Sequence, residues 1–291
     1  MRFPFLGETK EMNESSRRQA GGSYIALTEG ITQYELGGPA EGTKVVLIPG
    51  FSVPYFIFDP TFEFLTKTGF RVLRYNLYGR GFSDRPQARY DINFLTRQLR
   101  ELLEALKFSH ACLIGLSIGG SISASFVSIH RKMVDKWVLI DPAGVRPIVF
   151  SRLLKAVNMP GIGDMLLGLF GTRNMIQSAA SDFFEPRLIE QFQANYLVQM
   201  QYKGFKRAIL STVRSGMLGS FYATFEQAGQ FQIPTLVFWG RQDTTVPFDH
   251  SAELLQAMPH ARLKVVEQCG HIPQYEKPSE VNPLLQEFLQ R

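Results

Sequence analysis

The stretch Leu113–Ser123, LIGLSIGGSIS, places an apolar run directly before a serine that is surrounded by glycines. Glycine loses more backbone entropy on folding than any other residue, so this cluster needs a geometric reason. A strand that turns into a helix within a few residues supplies one, because the residue at the turn is forced into a strained conformation with its side chain projecting from the sheet. Flanking glycines remove the side chains that would collide there. The G-x-S-x-G pattern at 115–119 therefore predicts a strand, a sharp turn that presents the Ser117 hydroxyl, and a helix.

Strands and helices alternate on both sides of this turn. Eight apolar or β-branched runs predict strands, at 24–28, 31–36, 44–48, 70–77, 110–116, 136–140, 235–239 and 263–267. Helical periodicity separates most of them, at 60–68, 90–107, 119–130, 249–257 and 279–289. This alternation predicts an α/β fold with a mostly parallel eight-stranded sheet flanked by helices, while the first two runs form a hairpin at its edge.

One long segment interrupts the alternation. From 147 to 230 the strand signal disappears, and the segment is predicted to form several helices. The chain is therefore divided into an N-terminal arm at 1–22, a core at 23–146 and 231–291, and a helical cap at 147–230, inserted after the sixth strand.

Composition limits the function classes. The chain has 291 residues, 45% of them hydrophobic and 20% charged, which is typical of a soluble globular protein. Its net charge of +5 comes from dispersed basic residues, so we expect no nucleic-acid partner. Two cysteines, Cys112 and Cys269, fall in separate strand-like runs and predict no disulfide framework. With no signal-like apolar stretch at the N-terminus, we expect a cytoplasmic location.

A serine hydroxyl is a weak nucleophile unless a base accepts its proton, and the base can be found by elimination. Of the five histidines, only His271 follows a predicted strand. The others begin or precede a strand or lie in helices. His271 is therefore expected at the same sheet edge as Ser117, because the carboxyl ends of parallel strands meet there.

The third group must orient the imidazole, and three aspartates lie beyond strand ends: Asp84, Asp141 and Asp243. Asp243 is preferred because it gives the chain order Ser, Asp, His, which is typical of α/β-hydrolases. Asp141 is the alternative acid. Asp84 is expected to be a structural partner of Arg80 or Arg85.

The sequence resembles the α/β-hydrolase superfamily from about Tyr24 to Leu289. The matching stretches lie at 47–51, 79–84, 115–120, 239–247 and 270–271. Within the superfamily it is most similar to bacterial esterases, monoacylglycerol lipases and meta-cleavage-product hydrolases. The turn itself leaves the Ile118 N–H unpaired as an oxyanion donor, and the resemblance implies the Phe51 N–H as the second. Many members carry His-Gly where this chain has Pro49-Gly50, which affects the hydrogen bonding of that loop.

The predicted function is hydrolysis of carboxylic esters of short-to-medium acyl or aromatic acids, through an acyl-enzyme and without a metal or cofactor. Four apolar cap residues are expected to bind substrate, although packing against the core explains them equally well: Met165, Leu166, Leu169 and Phe170. The same apolar stretch is a candidate for a weak contact with a membrane surface. Two alternatives stay open, a carbon–carbon bond hydrolase of the meta-cleavage-product type and a hydrolase-fold ligand receptor.

Overall fold

The computed structural model describes residues 5–148, 159 and 161–291. Its centre is an eight-stranded sheet of order β1-β2-β4-β3-β5-β6-β7-β8. The strands are β1 Ser23–Leu27, β2 Gly30–Gly37, β3 Lys44–Ile48, β4 Arg71–Tyr75, β5 Ala111–Leu116, β6 Val134–Ile140, β7 Thr235–Gly240 and β8 Arg262–Val266. Strand β2 pairs antiparallel with β1 and β4, and all other pairs are parallel. The predicted sheet and its edge hairpin are confirmed.

Helices flank this sheet. They are α1 Glu14–Ala20, α2 Asp59–Lys67, α3 Ile92–Ala105, α4 Ile118–His130, α5 Ile162–Ala180, α6 Ile189–Met200, α7 Phe205–Arg214, α8 Tyr222–Gly229, α9 His250–Ala257, α10 Pro273–Glu276 and α11 Pro278–Gln290. Among the helices in the described ranges, none combines the length and the apolar character that crossing a bilayer requires.

The central strands are buried on both faces, as parallel strands covered by helices must be. Side chains alternate along a strand, so Val46 and Ile48 join the apolar cluster on the side of α3 and α4. Val45 and Leu47 join the opposite cluster, on the side of α2 and α11. The sheet is therefore held rigidly between two apolar layers, and the loops at its carboxyl edge start from fixed positions.

Four described α-helices lie between β6 and β7. Helices α5, α6 and α7 pack against one another. Helix α8 instead packs against α4 and α9 of the core, where Phe225 stacks on Trp137 with ring centroids 6.2 Å apart. Of the predicted cap segment, residues 149–158 and 160 lie outside the described part of the chain, as do residues 1–4 of the predicted arm.

The described part of the N-terminal arm is attached to this helical layer. The Leu6 N–H donates to the Gly168 carbonyl over 3.2 Å. The Glu8 carboxylate accepts from the backbone N–H groups of Gly204 and Lys206, over 2.7 and 2.6 Å. The arm therefore bridges α5 and the start of α7.

Asp84 pairs with a residue of the N-terminal arm, so its predicted partner was wrong. Its carboxylate accepts from the Arg17 guanidinium of α1 and from the Ile31 N–H, rather than pairing with Arg80 or Arg85. The guanidinium groups of the two expected partners donate mainly to backbone carbonyls instead. Asp84 is a structural residue, as expected, but its cation comes from a distant part of the chain.

Candidate active site

The turn after β5 has the strained geometry that its glycines predict. Ser117 has φ 54° and ψ −122°, a conformation that non-glycine residues rarely adopt, and α4 begins at the next residue. A Cβ atom on Gly119 would lie 2.3 Å from the Ile48 carbonyl oxygen, and one on Gly115 would lie 2.4 Å from the Gly119 oxygen. Both positions therefore require glycine, because a larger residue would displace the backbone that aims Ser117.

His271 and Asp243 meet at the same edge of the sheet, although 28 positions separate them in sequence. His271 Nδ1 donates to Asp243 Oδ2 over 2.7 Å, and both side chains are buried. The other Asp243 oxygen accepts from the N–H groups of Thr245 and Val246, over 2.8 and 2.9 Å. These donors fix the carboxylate, which in turn fixes the imidazole and leaves Nε2 for proton transfer.

The charges around His271 determine its basicity. Burial lowers the pKa of His271, but the charge and hydrogen bond of Asp243 and the charge of Asp182 outweigh this effect. The net result is a pKa above the ordinary histidine value. Asp141, the alternative acid, is also buried, but its Oδ1 accepts from the Gly240 N–H over 2.9 Å and His271 bonds to Asp243 instead.

Both predicted oxyanion donors lie beside Ser117. Ile118 is the first residue of α4, so its N–H has no acceptor within the helix. In the described ranges no acceptor is found for the Phe51 N–H either. Phe51 follows Gly50, where a Cβ atom would lie 3.3 Å from that of Ser117, so this loop approaches the serine closely.

A buried arginine anchors the Phe51 loop. Arg80 Nε donates to the Phe51 carbonyl oxygen over 2.8 Å, and its other nitrogens donate to the Tyr78 carbonyl and the Thr212 hydroxyl. Burial lowers the pKa of Arg80 to about 10. The arginine thus orders the loop that carries Pro49 and Phe51. The sequence analysis missed this role, although the stretch at 79–84 carried the signal.

A buried glutamate attaches the His271 loop to the cap. The Glu276 carboxylate accepts from the Gly270 N–H over 2.8 Å, and also from the N–H groups of Phe184 and Glu185. The His271 N–H itself donates to the Asp182 carbonyl oxygen over 2.7 Å. No sequence pattern indicated this role, because the donors belong to two distant segments.

A cavity of about 140 Å³ opens at Ser117. The described residues that line it include Ser117 and His271, the loop at 50–53, and the cap residues Met175, Ser178, Ala179, Asp182 and Tyr196. The four predicted substrate-binding residues Met165, Leu166, Leu169 and Phe170 are not among them. Three of these four are exposed, Met165 by 38%, Leu169 by 51% and Phe170 by 56%.

The reason lies in how α5 is placed. Only its C-terminal turns, with Met175, Ser178 and Ala179, reach the cavity. The apolar residues at 165–170 lie on earlier turns of α5, where three of them are exposed instead of packed against described residues. The mixed polar and apolar residues that do line the cavity give no stripe that the sequence alone would show.

One group of side chains has the composition of a metal site, namely Asp141, Asp243 and His271. Most of their ligand atoms are already engaged, because His271 and Asp243 bond to each other and Asp243 and Asp141 Oδ1 accept from backbone N–H groups. Asp141 Oδ2 has no donor within the described ranges. A metal ion would have to break the His271–Asp243 hydrogen bond. This group fits proton transfer better than metal binding.

Comparison of the sequence with known protein families assigns the chain to one of them. The family model described as "alpha/beta hydrolase fold" matches residues 44–278. The chain belongs to the alpha/beta hydrolase family. The AB hydrolase superfamily protein YisY of Bacillus subtilis is 25% identical over 271 residues, covering 92% of this chain and 98% of YisY.

Three further proteins are similar to this chain in sequence or in fold. The 2-hydroxy-6-oxo-6-phenylhexa-2,4-dienoate hydrolase of Comamonas testosteroni is 31% identical over 204 residues, which cover 67% of this chain and 68% of that enzyme. The meta-cleavage product hydrolase CumD of Pseudomonas fluorescens superposes with a TM-score of 0.77 at 25% identity, over 94% and 98% of the two chains. An esterase of Exiguobacterium antarcticum, 18% identical with a TM-score of 0.77 over 93% and 100% of the chains, shares the fold.

The role of Asp243 can be tested by Asp243→Asn. An amide at this position stabilises the wrong imidazole tautomer, so kcat should fall by a factor on the order of 10⁴. Asp141→Asn should cost far less, and Asp135→Asn, a surface change, should cost nothing. Steady-state kinetics of the three variants on one ester measures this. A larger loss in the Asp141 variant than in the Asp243 variant would assign the acid to β6.

The pH dependence follows from the charges at His271. The base must be neutral to accept the serine proton, so kcat/KM should rise with pH through an apparent pKa above the ordinary histidine value of about 6.5. Asp182→Asn removes a negative neighbour and should lower this apparent pKa. A wild-type value below about 6.5, or no downward change in the variant, would contradict the electrostatic account.

Proposed function

We propose that this protein is a serine-dependent hydrolase of small, uncharged carboxylic esters. The observation that carries the proposal is that Ser117 and His271 line one cavity while Asp243 is hydrogen-bonded behind His271. This is the set of groups that acyl transfer needs, namely a nucleophile, a base and a group that orients the base.

The reaction proceeds in two halves. Ser117 Oγ attacks the ester carbonyl and gives its proton to His271, while the N–H groups of Phe51 and Ile118 stabilise the oxyanion. His271 then protonates the leaving alcohol, and an acyl-enzyme remains. Water, deprotonated by His271, attacks the acyl group and releases the carboxylic acid and free Ser117.

The charge of the cavity supports an ester over a dienoate. Asp182 and His271 are the ionisable groups, apart from the Tyr196 phenol, among the described lining residues, and neither lysine nor arginine is present among them. The Comamonas testosteroni relative is named for an anionic substrate, a dienoate. An anion in this cavity would face the Asp182 carboxylate with no lysine or arginine among the described lining residues to compensate it, which is unfavourable in an enclosed site.

The size of the cavity supports a short acyl group. A cavity of about 140 Å³ is comparable to one of about 150 Å³ that binds benzene. It therefore takes an acyl group of roughly six non-hydrogen atoms.

The two cysteines of the described chain are free and buried, which supports our proposal that the enzyme works in a reducing compartment such as the cytoplasm.

A panel of p-nitrophenyl esters from acetate to palmitate tests the substrate class. Each methylene buried in the cavity adds up to about 0.8 kcal/mol, so kcat/KM should rise from acetate to roughly butanoate or hexanoate and then fall. Met175→Ala enlarges the cavity and should move the maximum to longer chains. Met165→Ala, an exposed change on the same helix, is the matched control and should leave the series unchanged.

The same panel should include 2-hydroxy-6-oxo-6-phenylhexa-2,4-dienoate. Faster turnover of this compound than of every ester would overturn the proposal in favour of carbon–carbon bond hydrolysis. Failure to turn over any compound, with intact folding, would favour a receptor built on the hydrolase fold.

A further inference from the structure

A second aspartate lies buried beside Asp243 and His271. Asp141 follows β6, is 0% exposed and has φ 41°, in the left-handed region that non-glycine residues uncommonly occupy. Its backbone N–H donates to the Phe238 carbonyl of β7 over 3.0 Å. Its Oδ1 accepts from the Gly240 N–H, but no donor for its Oδ2 is found within the described ranges. A buried carboxylate oxygen with no donor is costly and needs an explanation.

The neighbours of Asp141 supply the explanation. Carboxylate oxygens of Asp141 and Asp243 and a ring nitrogen of His271 all lie within 4.8 Å of one another. Two carboxylates that are buried this close together cannot both be ionised without a large electrostatic cost. One of them must hold a proton.

The hydrogen bonds decide which aspartate is protonated. Asp243 accepts three, from the N–H groups of Thr245 and Val246 and from His271 Nδ1. Asp141 accepts one, from the Gly240 N–H. Because donors stabilise the ionised form, the negative charge belongs on Asp243 and the proton on Asp141. The oxygen without a donor is then a hydroxyl, which needs an acceptor rather than a donor.

We propose that Asp141 is a protonated positioning residue, whose carboxyl O–H donates a hydrogen bond to the carboxylate of Asp243. The inference rests on the proposed function for its kinetic consequences, but not for the location of the proton. Asp243 thereby receives a fourth donor, in addition to His271 and the two backbone N–H groups. Asp243 keeps one negative charge, and the added hydrogen bond helps to hold its carboxylate in place.

The surrounding charges agree with this assignment. Burial, followed by the charge of Asp243, raises the pKa of Asp141 well above its ordinary range. The ionisable groups that face it come from three other segments, Asp243 after β7, Cys269 and His271 after β8, and Asp182 of the cap. Three of these are acidic and His271 is already paired with Asp243, so none of them provides a separate cation for an ionised Asp141.

Two variants distinguish this role from a merely structural one. In Asp141→Asn, the amide N–H₂ can donate to Asp243 while the amide oxygen accepts from the Gly240 N–H. Activity should stay within about threefold of wild type, and the apparent pKa of His271 should not change, since a neutral donor replaces a neutral donor. In Asp141→Leu the donor is lost, so kcat should fall roughly 10- to 100-fold and the apparent pKa should rise.

Infrared difference spectroscopy locates the proton without any substrate. The wild-type protein at pH 8 should show the carbonyl stretch of a protonated carboxylic acid that is absent from both Asp141 variants. Asp135→Asn removes an exposed aspartate at the other end of β6 and should lose no such band. The full-length protein is used throughout, and circular dichroism confirms that each variant is folded.

The outcomes separate this inference from the proposed function. A missing carboxylic-acid band, or a lower His271 pKa in Asp141→Asn, would mean that Asp141 is ionised and would overturn the inference. If the band is present and no ester is hydrolysed, the protonation of Asp141 stands and the proposed function fails. If Asp141→Leu does not fold, the band and the pH profile of Asp141→Asn still decide.

Discussion

The close approach of two loops at the carboxyl edge of the sheet is the constraint on which the site depends. A Cβ atom on Gly240 would lie 1.9 Å from the Gly270 carbonyl oxygen, so the loops after β7 and β8 can touch only because glycine occupies this position. That contact brings Asp243 and His271 within 2.7 Å. The parallel pairing of β7 with β8 places the starts of the two loops next to each other, and this limits the distance between Asp243 and His271. A larger residue at 240 would displace the Gly270 backbone and so move His271 away from Asp243.

The helical segment between β6 and β7, which lines part of the cavity, takes part in the same arrangement. Asp182 accepts from the His271 N–H with its carbonyl oxygen and from the Thr245 hydroxyl with its carboxylate, the latter over 2.6 Å. Glu276 then joins the next cap residues to the loop of His271. The loops that carry Asp243 and His271 are therefore both attached to one short helical-layer segment around Asp182. A movement of that segment would change the positions of both side chains. The Asp182 carboxylate also adds negative charge to the cavity.

The sequence predicted most of the fold and the chemical groups of the site, because these depend on local signals. Short segments of sequence are enough to recognise the strand and helix periodicity, the glycines around Ser117, and the position of His271 after the last strand. The contacts that were missed join residues far apart in the sequence. Arg80 reaches a hydroxyl 132 positions away, Glu276 binds an N–H 92 positions away, and Asp84 pairs with an arginine 67 positions away. Such partners are decided by tertiary packing. The cap stripe at 165–170 was assigned to substrate because apolarity alone cannot distinguish a cavity wall from an exposed helix face.

Covalent labelling by a fluorophosphonate tests the central claim, that Ser117 is an activated nucleophile, most directly. The reagent reacts with a serine hydroxyl only where a base and an oxyanion site assist it. Intact mass spectrometry should show one adduct per chain, and peptide mapping should place it on the peptide that contains Ser117. Ser117→Ala should abolish the adduct, while Ser121→Ala, a neighbouring serine on α4, should not. An adduct that survives in Ser117→Ala, or a wild-type protein that stays unlabelled, would contradict the account.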